Sequence, residues 1–454
     1  MLRRTAALVS SFAALSLVFL ASAFAEPSRL RVATFRCDVT PPLGGHPLIW
    51  LDQIKTVEDP LWAKGIVLDD GRSRYVLCAV DWCGLCNSSH ELFRVKIAKA
   101  AGAEIDNVAV QSIHQHTAPY TDGDAQRVLD KYDNPPKYVD FQFMEAVTDR
   151  LAEAVKKSLS VLEPFDTVGV GQAKVEKVAA TRRVLTPDGK ILVRYSSCKD
   201  PGLAAAPEGK IDPFLRTVTF AQGDKPLVRL HYYTTHPQSF YGDFRASADF
   251  VGHARDRLEK EEGVFQIYFT GCSGDVTAGK YNDGSPEARE RLTQQVFAGM
   301  KQSVDATKYE PAGKLVWRCV PLVLPARTDG DRSKEASLAV VQDAKAAPQA
   351  RTLAACRVAY AQRDDKPLPL SSLQIGDNYL VNLPGECMVE YQLYAAGQRP
   401  KDFVAVAAYG DLGPGYICTE AAFPEGGYEP TASRVAPTSE KPMKDAIRRL
   451  LGLE

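Results

Sequence analysis

Histidine is scarce in this chain, with seven residues among 454, and methionine and tryptophan are scarcer still at five and four. Charge of one sign is lacking too: 55 Lys and Arg stand against 56 Asp and Glu, a formal net of −1. Without Arg3 and Arg4, which belong to the leader described below, 53 against 56 gives −3. No polybasic or aromatic-rich stretch offsets that balance, so the electrostatic footprint of a nucleic-acid partner is missing. Beyond the first 25 residues no run is apolar enough to cross a bilayer. No repeat period is visible, no long Pro, Gly or Ser linker divides the chain, and no mucin-like stalk is present. Gly202 to Gly209 is Ala/Pro-rich and reads as a surface loop. What remains is an ordinary globular composition, read as one large domain.

The first residues point to export. Arg3-Arg4 precedes an apolar stretch from Ala6 to Leu20, and Ala23-Phe24-Ala25 then precedes Glu26. That order is a secretory signal with its cleavage site. Residues 1–25 are expected to be removed and 26–454 to be secreted, whether periplasmic, extracellular or cell-surface. All ten cysteines fall in the mature part, an even number in an oxidising compartment. Cys83-Gly84-Leu85-Cys86 has the spacing of a redox or zinc pair, but no second pair completes a zinc knuckle. It reads as a local disulfide or as two packed thiols.

Periodicity predicts strands at 31–39, 65–69, 75–81, 108–112, 167–175, 191–195, 227–233, 264–269, 372–375 and 379–383. Asp70-Gly71 marks a hairpin. Helical spacing covers 91–101, 138–160 and 246–261. Another helix spans 286–304, with Ser285 as its N-cap and Pro286 at its first position. A single long helix is predicted over 333–362, and a last one over 441–451. Helices and strands mix without strict alternation. The fold class is therefore α/β (α+β), one large domain with two β-sheets flanked by helices.

Several strands end in polar clusters. The run Val108-Ala109-Val110 leads to His114-Gln115-His116, and alternation along an extended strand would point both imidazoles the same way. They either share a metal, divide metal binding and proton transfer between them, or form a hydrogen-bonded pair in a loop. His236 stands at the exit of strand 227–233, whereas His231 lies within it and reads as a satisfied core histidine. Asn382-Leu383-Pro384-Gly385-Glu386 puts a carboxylate after a tight turn. Pro414-Gly415-Tyr416 and Gly426-Gly427-Tyr428 supply phenols. Zinc accepts imidazole, carboxylate and, more rarely, phenolate, and a catalytic site leaves one position for water.

Together these segments resemble the neutral/alkaline non-lysosomal ceramidase family, in order, over nearly the whole mature chain. Asp38-Val39-Thr40-Pro41-Pro42 is similar to its Asp-Ile/Val-Thr-Pro-Pro start. Ser112-Ile113-His114-Gln115-His116-Thr117-Ala118-Pro119 resembles its Ser-His-Thr-His-Ser-Gly-Pro with one residue more after the serine. Arg182 in Thr181-Arg182-Arg183, His236, and Ser247-Ala248-Asp249-Phe250-Val251-Gly252 follow. Then come Gly274-Asp275-Val276-Thr277, Pro384-Gly385-Glu386, Gly415-Tyr416-Ile417-Cys418-Thr419 and Tyr428-Glu429. The resemblance implies Zn2+ held by His114, His236, Glu386 and Tyr416, with His116 as general base. It implies Arg182 and Tyr428 as substrate-holding groups, and it places Thr277 in the catalytic set. It also implies hydrolysis of an N-acyl amide in a small molecule or lipid.

Two departures matter. Thr277 stands where the family has serine, its extra methyl restricting the rotamers, and the family's C-terminal immunoglobulin-like domain has no counterpart here. Asp275 reads as a structural turn carboxylate. Two other functions stay open: a metal-dependent esterase or phosphoesterase recruiting Asp81, Asp249 or Asp275, and a secreted ligand-binding protein without catalysis.

Overall fold

Asp70-Gly71 turns the chain through a glycine at φ +83°. Asp69 Oδ1 accepts from Gly71 N (2.8 Å), and Asp70 Oδ1 accepts from Arg72 N (2.8 Å) and Ser73 N (2.7 Å). That turn joins β2 (Trp62–Asp69) to β3 (Arg74–Val80). The arrangement around it recurs along the chain. The computed structural model describes residues 30–363 and 365–454. The expected signal peptide lies outside them.

In the first sheet β1 (Arg31–Asp38) pairs antiparallel with β2, β2 pairs antiparallel with β3, and helix α1 (Asn87–Ala101) leads to β4 (Val108–Ser112), parallel to β3. Helix α2 (Phe141–Ser158) then returns the chain to the short strand β5 (Glu163–Pro164) beside β1. The second sheet repeats the order. β6 (Thr167–Lys174), β7 (Phe214–Gln222) and β8 (Lys225–Tyr233) are antiparallel neighbours, helix α3 (Asp249–Glu262) leads to parallel β9 (Phe265–Thr270), and helix α4 (Pro286–Asp305) returns to β10 (Lys308–Pro311) beside β6.

The third sheet starts with β11 (Leu315–Leu322). Helices α5 (Lys334–Gln342) and α6 (Pro348–Ala361) follow before β12 (Leu368–Ile375) and β13 (Asn378–Asn382). Helix α7 (Val389–Gln398) crosses to parallel β14 (Phe403–Ala407), and helix α8 (Glu440–Leu450) follows without a fifth strand. The protein is a mixed α/β domain whose main sheets are two of five strands and one of four. No repeat is visible in the sequence, yet one supersecondary unit occurs three times. Each hairpin turns through glycine with positive φ next to aspartate: Asp70-Gly71, Gly223-Asp224 and Gly376-Asp377.

Local physics explains one difference from the sequence expectation. The long helix 333–362 is interrupted at 343–347, because Pro348 lacks an N–H and clashes with a preceding turn. It opens α6 instead. Helix α4 begins as expected, with Ser285 Oγ accepting from Ala288 N (3.1 Å). The apolar stripe of α2, with Val147, Leu151 and Val155 fully buried, packs into the core that contains Phe93 and Ile97 of α1. Burying each such side chain contributes roughly 1.5–3 kcal/mol, which holds the helix to the sheet.

Among the described residues no disulfide is present, and the Cys83/Cys86 pair consists of packed, buried thiols. No described helix is long and apolar enough to cross a membrane.

Candidate metal centre and active site

The carboxyl ends of the three parallel strand pairs meet, the place where α/β proteins build sites. Ser112 N donates to Tyr409 O (2.8 Å), Ala408 N to Thr270 O (2.8 Å), and Thr270 Oγ1 to Ile113 O (2.6 Å). The ends of β4, β14 and β9 are thereby laced into one ring. His114 follows β4, His236 follows β8, and Glu386 follows β13.

His114 is not part of an extended strand. Strand β4 stops at Ser112, and His114 takes a left-handed backbone at φ +72°, a conformation that costs about 1–3 kcal/mol and concentrates at functional sites. Strand alternation is therefore not what aligns the histidine pair. The turn itself brings His116 Nε2 to 3.4 Å from His114 Nε2, with the rings perpendicular.

Each metal-competent imidazole is oriented by a backbone carbonyl. His114 Nδ1 lies 2.6 Å from Cys83 O, and His236 Nδ1 lies 2.9 Å from Ser273 O. A ring nitrogen facing a carbonyl must carry the hydrogen, so both Nε2 atoms present bare lone pairs. They face each other at 3.0 Å. Glu386 Oε2 sits 3.1 Å from one and 3.6 Å from the other, buried and with no hydrogen-bond partner among the described residues. Three acceptors converging with no hydrogen between them repel one another unless a cation sits at their centre. Zinc ligands about 2.0–2.1 Å from a tetrahedral ion lie roughly 3.3 Å apart, the spacing this triad shows. The residues fit the metal.

Glu386 is placed by a two-residue parallel ladder, Glu386–Cys387 with Tyr416–Ile417, which sets Glu386 directly beside Tyr416. Gly385 makes that approach possible, since it has φ +63° and a Cβ there would fall 2.9 Å from Gly415 O. The Tyr416 hydroxyl accepts from Arg182 Nη1 at 3.0 Å. Arg182 in turn stands over the Tyr428 ring, 5.2 Å from its centroid. His236 and Arg182 share one template. His236 N donates to Val276 O (2.9 Å) and Arg182 N to Asp275 O (2.6 Å), while Ala180–Thr181 pairs with Val276–Thr277.

Thr277 thus belongs to the strand that fixes these two residues. Its hydroxyl donates to Arg194 O (3.4 Å) and accepts from Gly279 N (3.2 Å), and it is absent from the cavity wall. Asp275 Oδ1 accepts from Val389 N (2.8 Å) at the start of α7, the structural part expected of it. Asp81 is bidentate to Arg255 and Asp249 is tied to Ser239 N (2.8 Å). The aspartates a second metal would recruit are all engaged elsewhere.

Electrostatics separates the roles. Burial first, then the neighbouring His114 imidazole and Arg182 guanidinium, pushes His116 well below the ordinary imidazole value. His236 is lowered in the same way. Burial alone would raise the Glu386 carboxyl, but His114, the Tyr416 hydroxyl and Arg182 outweigh it and hold it below its usual value. Burial pushes the Tyr416 phenol far up, with Arg182 opposing. The Cys83 thiol lies 3.8 Å from His114 Nδ1, a nitrogen already committed to Cys83 O, and burial raises that thiol too.

A cavity of about 310 Å3 opens over His114, His116, Glu386, Tyr416 and Tyr428. Known structures supply the comparison. A neutral ceramidase from Pseudomonas aeruginosa superposes with a TM-score of 0.70 at 15% identity, covering 94% of this chain and 74% of that one. A ceramidase complexed with C2 gives 0.69 at 14%, covering 92% and 74%. The chain has a ceramidase-like fold. No family model and no curated protein matches the sequence.

Within the ceramidase-like fold, sequence reasoning missed Tyr409 and Trp50. Tyr409, left-handed at φ +63°, stacks on His114 at 4.3 Å between centroids and bonds Ser273 Oγ at 2.7 Å. It is the second residue past β14, as His114 is past β4, a signal readable only once the repeat is seen. Trp50 rests 5.2 Å from the His116 ring and forms the lip of the cavity with Leu51, both left-handed.

Proposed function

We propose that the protein is an exported, zinc-dependent amidohydrolase that cleaves an N-acyl amide. The observation that carries this reading is the triad His114, His236 and Glu386, three bare acceptors whose other sides are locked by backbone. Tyr416 is the fourth ligand on this reading. Zinc bound there would lower the pKa of its water toward ~7 and polarise a carbonyl.

The other roles follow from this chain's own residues. His116 is neutral at ordinary pH because of its burial and neighbouring charges, so it is able to take a proton from water. Its cavity position lets it hand that proton to the leaving nitrogen as the C–N bond breaks and the acyl carbon gains the water oxygen, a contribution of ~10²–10⁴-fold. Arg182, held by Tyr416, and Tyr428, 5.5 Å from the Tyr416 ring, stabilise negative charge on the carbonyl oxygen. Thr277 is a positioning residue, acting through the strand that fixes His236 and Arg182.

The test is metal analysis joined to turnover. One zinc per chain, hydrolysis of N-acyl amides, and a fall of about 10²-fold or more in His116→Ala at unchanged zinc content are expected. A zinc-loaded protein that turns over no amide in a panel of amides, carboxylic esters and phosphate esters refutes the proposal.

A further inference from the structure

The three repeats each insert an equivalent connection between the first and second strand of the sheet. The first, residues 39–61, lines the cavity with Ile49, Trp50 and Leu51, whereas the second, residues 175–213, puts no described residue in the wall and carries Arg182, which bonds the Tyr416 hydroxyl. The third, residues 323–367, supplies an entire helix face. Gln349, Thr352, Leu353, Cys356 and Arg357 of α6 recur at helical spacing along the wall, and Arg332 from the preceding turn joins them. Arg434 lines the same cavity.

These three guanidiniums lack the partners that arginines normally have. Arg357 makes no hydrogen bond or ion pair to any described residue, though it is partly buried. Arg434 is buried and reaches only neutral acceptors: Leu412 O (3.3 Å), Gly413 O (3.1 Å) and the Tyr120 hydroxyl (3.2 Å). Arg332 is paired only with its neighbour Asp331, an exposed carboxylate at 3.4 Å, a pair of little worth in water. The one carboxylate in the wall is Glu386, which the metal triad uses. Burial and then repulsion from Arg332 and Arg434 hold Arg357 down to about 10, still protonated at neutral pH. The same cavity also carries the apolar side chains of Ile49, Leu51 and Leu353.

The geometry points to an anionic amphiphile as the substrate: an N-acyl amide whose amine side bears a carboxylate or phosphate, bound by Arg357 and Arg332 with Arg434 adding charge behind them. Arginine forks match both oxyanions bidentately, and the acyl chain lies against the apolar side chains. The inference rests on the hydrolase reading, and its test separates the two.

Calorimetric titration of the zinc-loaded full chain, carrying His116→Ala to hold down turnover, compares N-dodecanoylglycine, dodecyl phosphate and N-dodecanoylethanolamine. At least one anionic probe is expected to bind tenfold or more tightly than the neutral amide, and the better of the two identifies the headgroup. That ratio should fall toward one in the Arg332→Gln/Arg357→Gln variant. In the unsubstituted arginine background it should also narrow as KCl rises, which gives a readout should the double variant fail to fold. Equal affinities overturn the inference. So does a preference that survives the arginine substitutions, because it would belong to the metal. Turnover by the wild-type chain is read separately. Amide hydrolysis without charge preference sinks this inference alone, whereas arginine-dependent anion binding without hydrolysis sinks the hydrolase reading alone.

Discussion

Removing the metal should cost measurable thermal stability, and the cost follows from the triad. Without a cation, two imidazole lone pairs at 3.0 Å and a buried carboxylate face one another. A ligand that binds only the folded chain stabilises it by RT ln(1 + [L]/Kd), about 2.7 kcal/mol at a hundredfold excess over Kd and about 4.1 at a thousandfold. Unfolding entropy of ~2.1 cal/mol/K per residue over roughly 425 residues gives ~0.9 kcal/mol per kelvin. The expected rise in Tm on adding zinc to chelator-treated protein is therefore only about 3–5 °C. Differential scanning fluorimetry across a zinc titration resolves that, and the shift should grow logarithmically with free zinc. Glu386→Gln and His236→Ala should each reduce it, and together they should abolish it. An identical Tm with and without stoichiometric zinc, or a full shift in the double variant, would refute the reasoning.

Other parts of the structure are open to equally direct tests. Burial pushes His46, His90 and His231 each down to about 4. An unfolded histidine near 6.5 binds protons that these native ones refuse. Stability is therefore present above pH 6.5 and is lost as pH falls toward 4. Urea denaturation at pH 7 and pH 5 should differ by about 2 kcal/mol per histidine, and His231→Gln should remove one such share; a flat profile contradicts the burial argument. Gly385→Ala should weaken zinc binding and cost more than about 1 kcal/mol, because its φ of +63° and the 2.8 Å approach to Ile417 both resist a Cβ. Zinc affinity unchanged in that variant would disprove the role given to the Glu386–Tyr416 ladder. Thiol titration of the native protein should report no more than Cys198 and Cys319, the two that are not fully buried, and all ten thiols in guanidinium. A lower count in guanidinium would reveal disulfides formed on export.

The sequence was most readable where one local signal outweighed its surroundings. Asp70-Gly71 declared its hairpin, Ser285-Pro286 its helix start, and His231 proved to be a core residue, bonded to Thr217 Oγ1 (2.9 Å) and Gln266 Oε1 (2.7 Å). Strand β7 escaped notice because it lies in the middle of its sheet, with Leu215, Val218, Phe220 and Ala221 buried on alternating and adjacent positions alike, so no clean period remains. Strand β11 carries Pro321, which argues against a strand interior but is tolerated at a sheet edge, where β11 lies. In the site, His114, His236 and Glu386 were each legible as metal-competent groups at strand ends, and the resemblance implied that they share one ion. The reason they converge was not legible. Unpaired backbone at three strand ends creates the ring, and hydrogen bonds such as Ser112 N to Tyr409 O leave no trace in side-chain pattern.

The repeat also explains why the arginine wall was invisible in sequence. Arg332, Arg357 and Arg434 share no spacing, and only the folding of connection 323–367 beside the segment that follows β14 brings them to one cavity. The strand ends and the connections answer to different constraints. His114 and Tyr409 hold strained left-handed backbones two residues beyond equivalent strands, so a change there disturbs the ring and the metal donors together. Residues 39–61 and 323–367 lie outside that ring, whereas connection 175–213 carries Arg182, which bonds Tyr416. Substitutions in the first and third connections alter the walls at far smaller cost to the centre, as Arg357, with no hydrogen bond or ion pair to any described residue, illustrates best. Under the proposed function, metal affinity should respond steeply to the strand ends and weakly to the third connection, and ligand preference should do the reverse. Zinc affinity measured on Arg332→Gln/Arg357→Gln beside Gly385→Ala decides the matter: a comparable loss in both would mean that wall and centre form one cooperative structure, and that division of labour would be wrong.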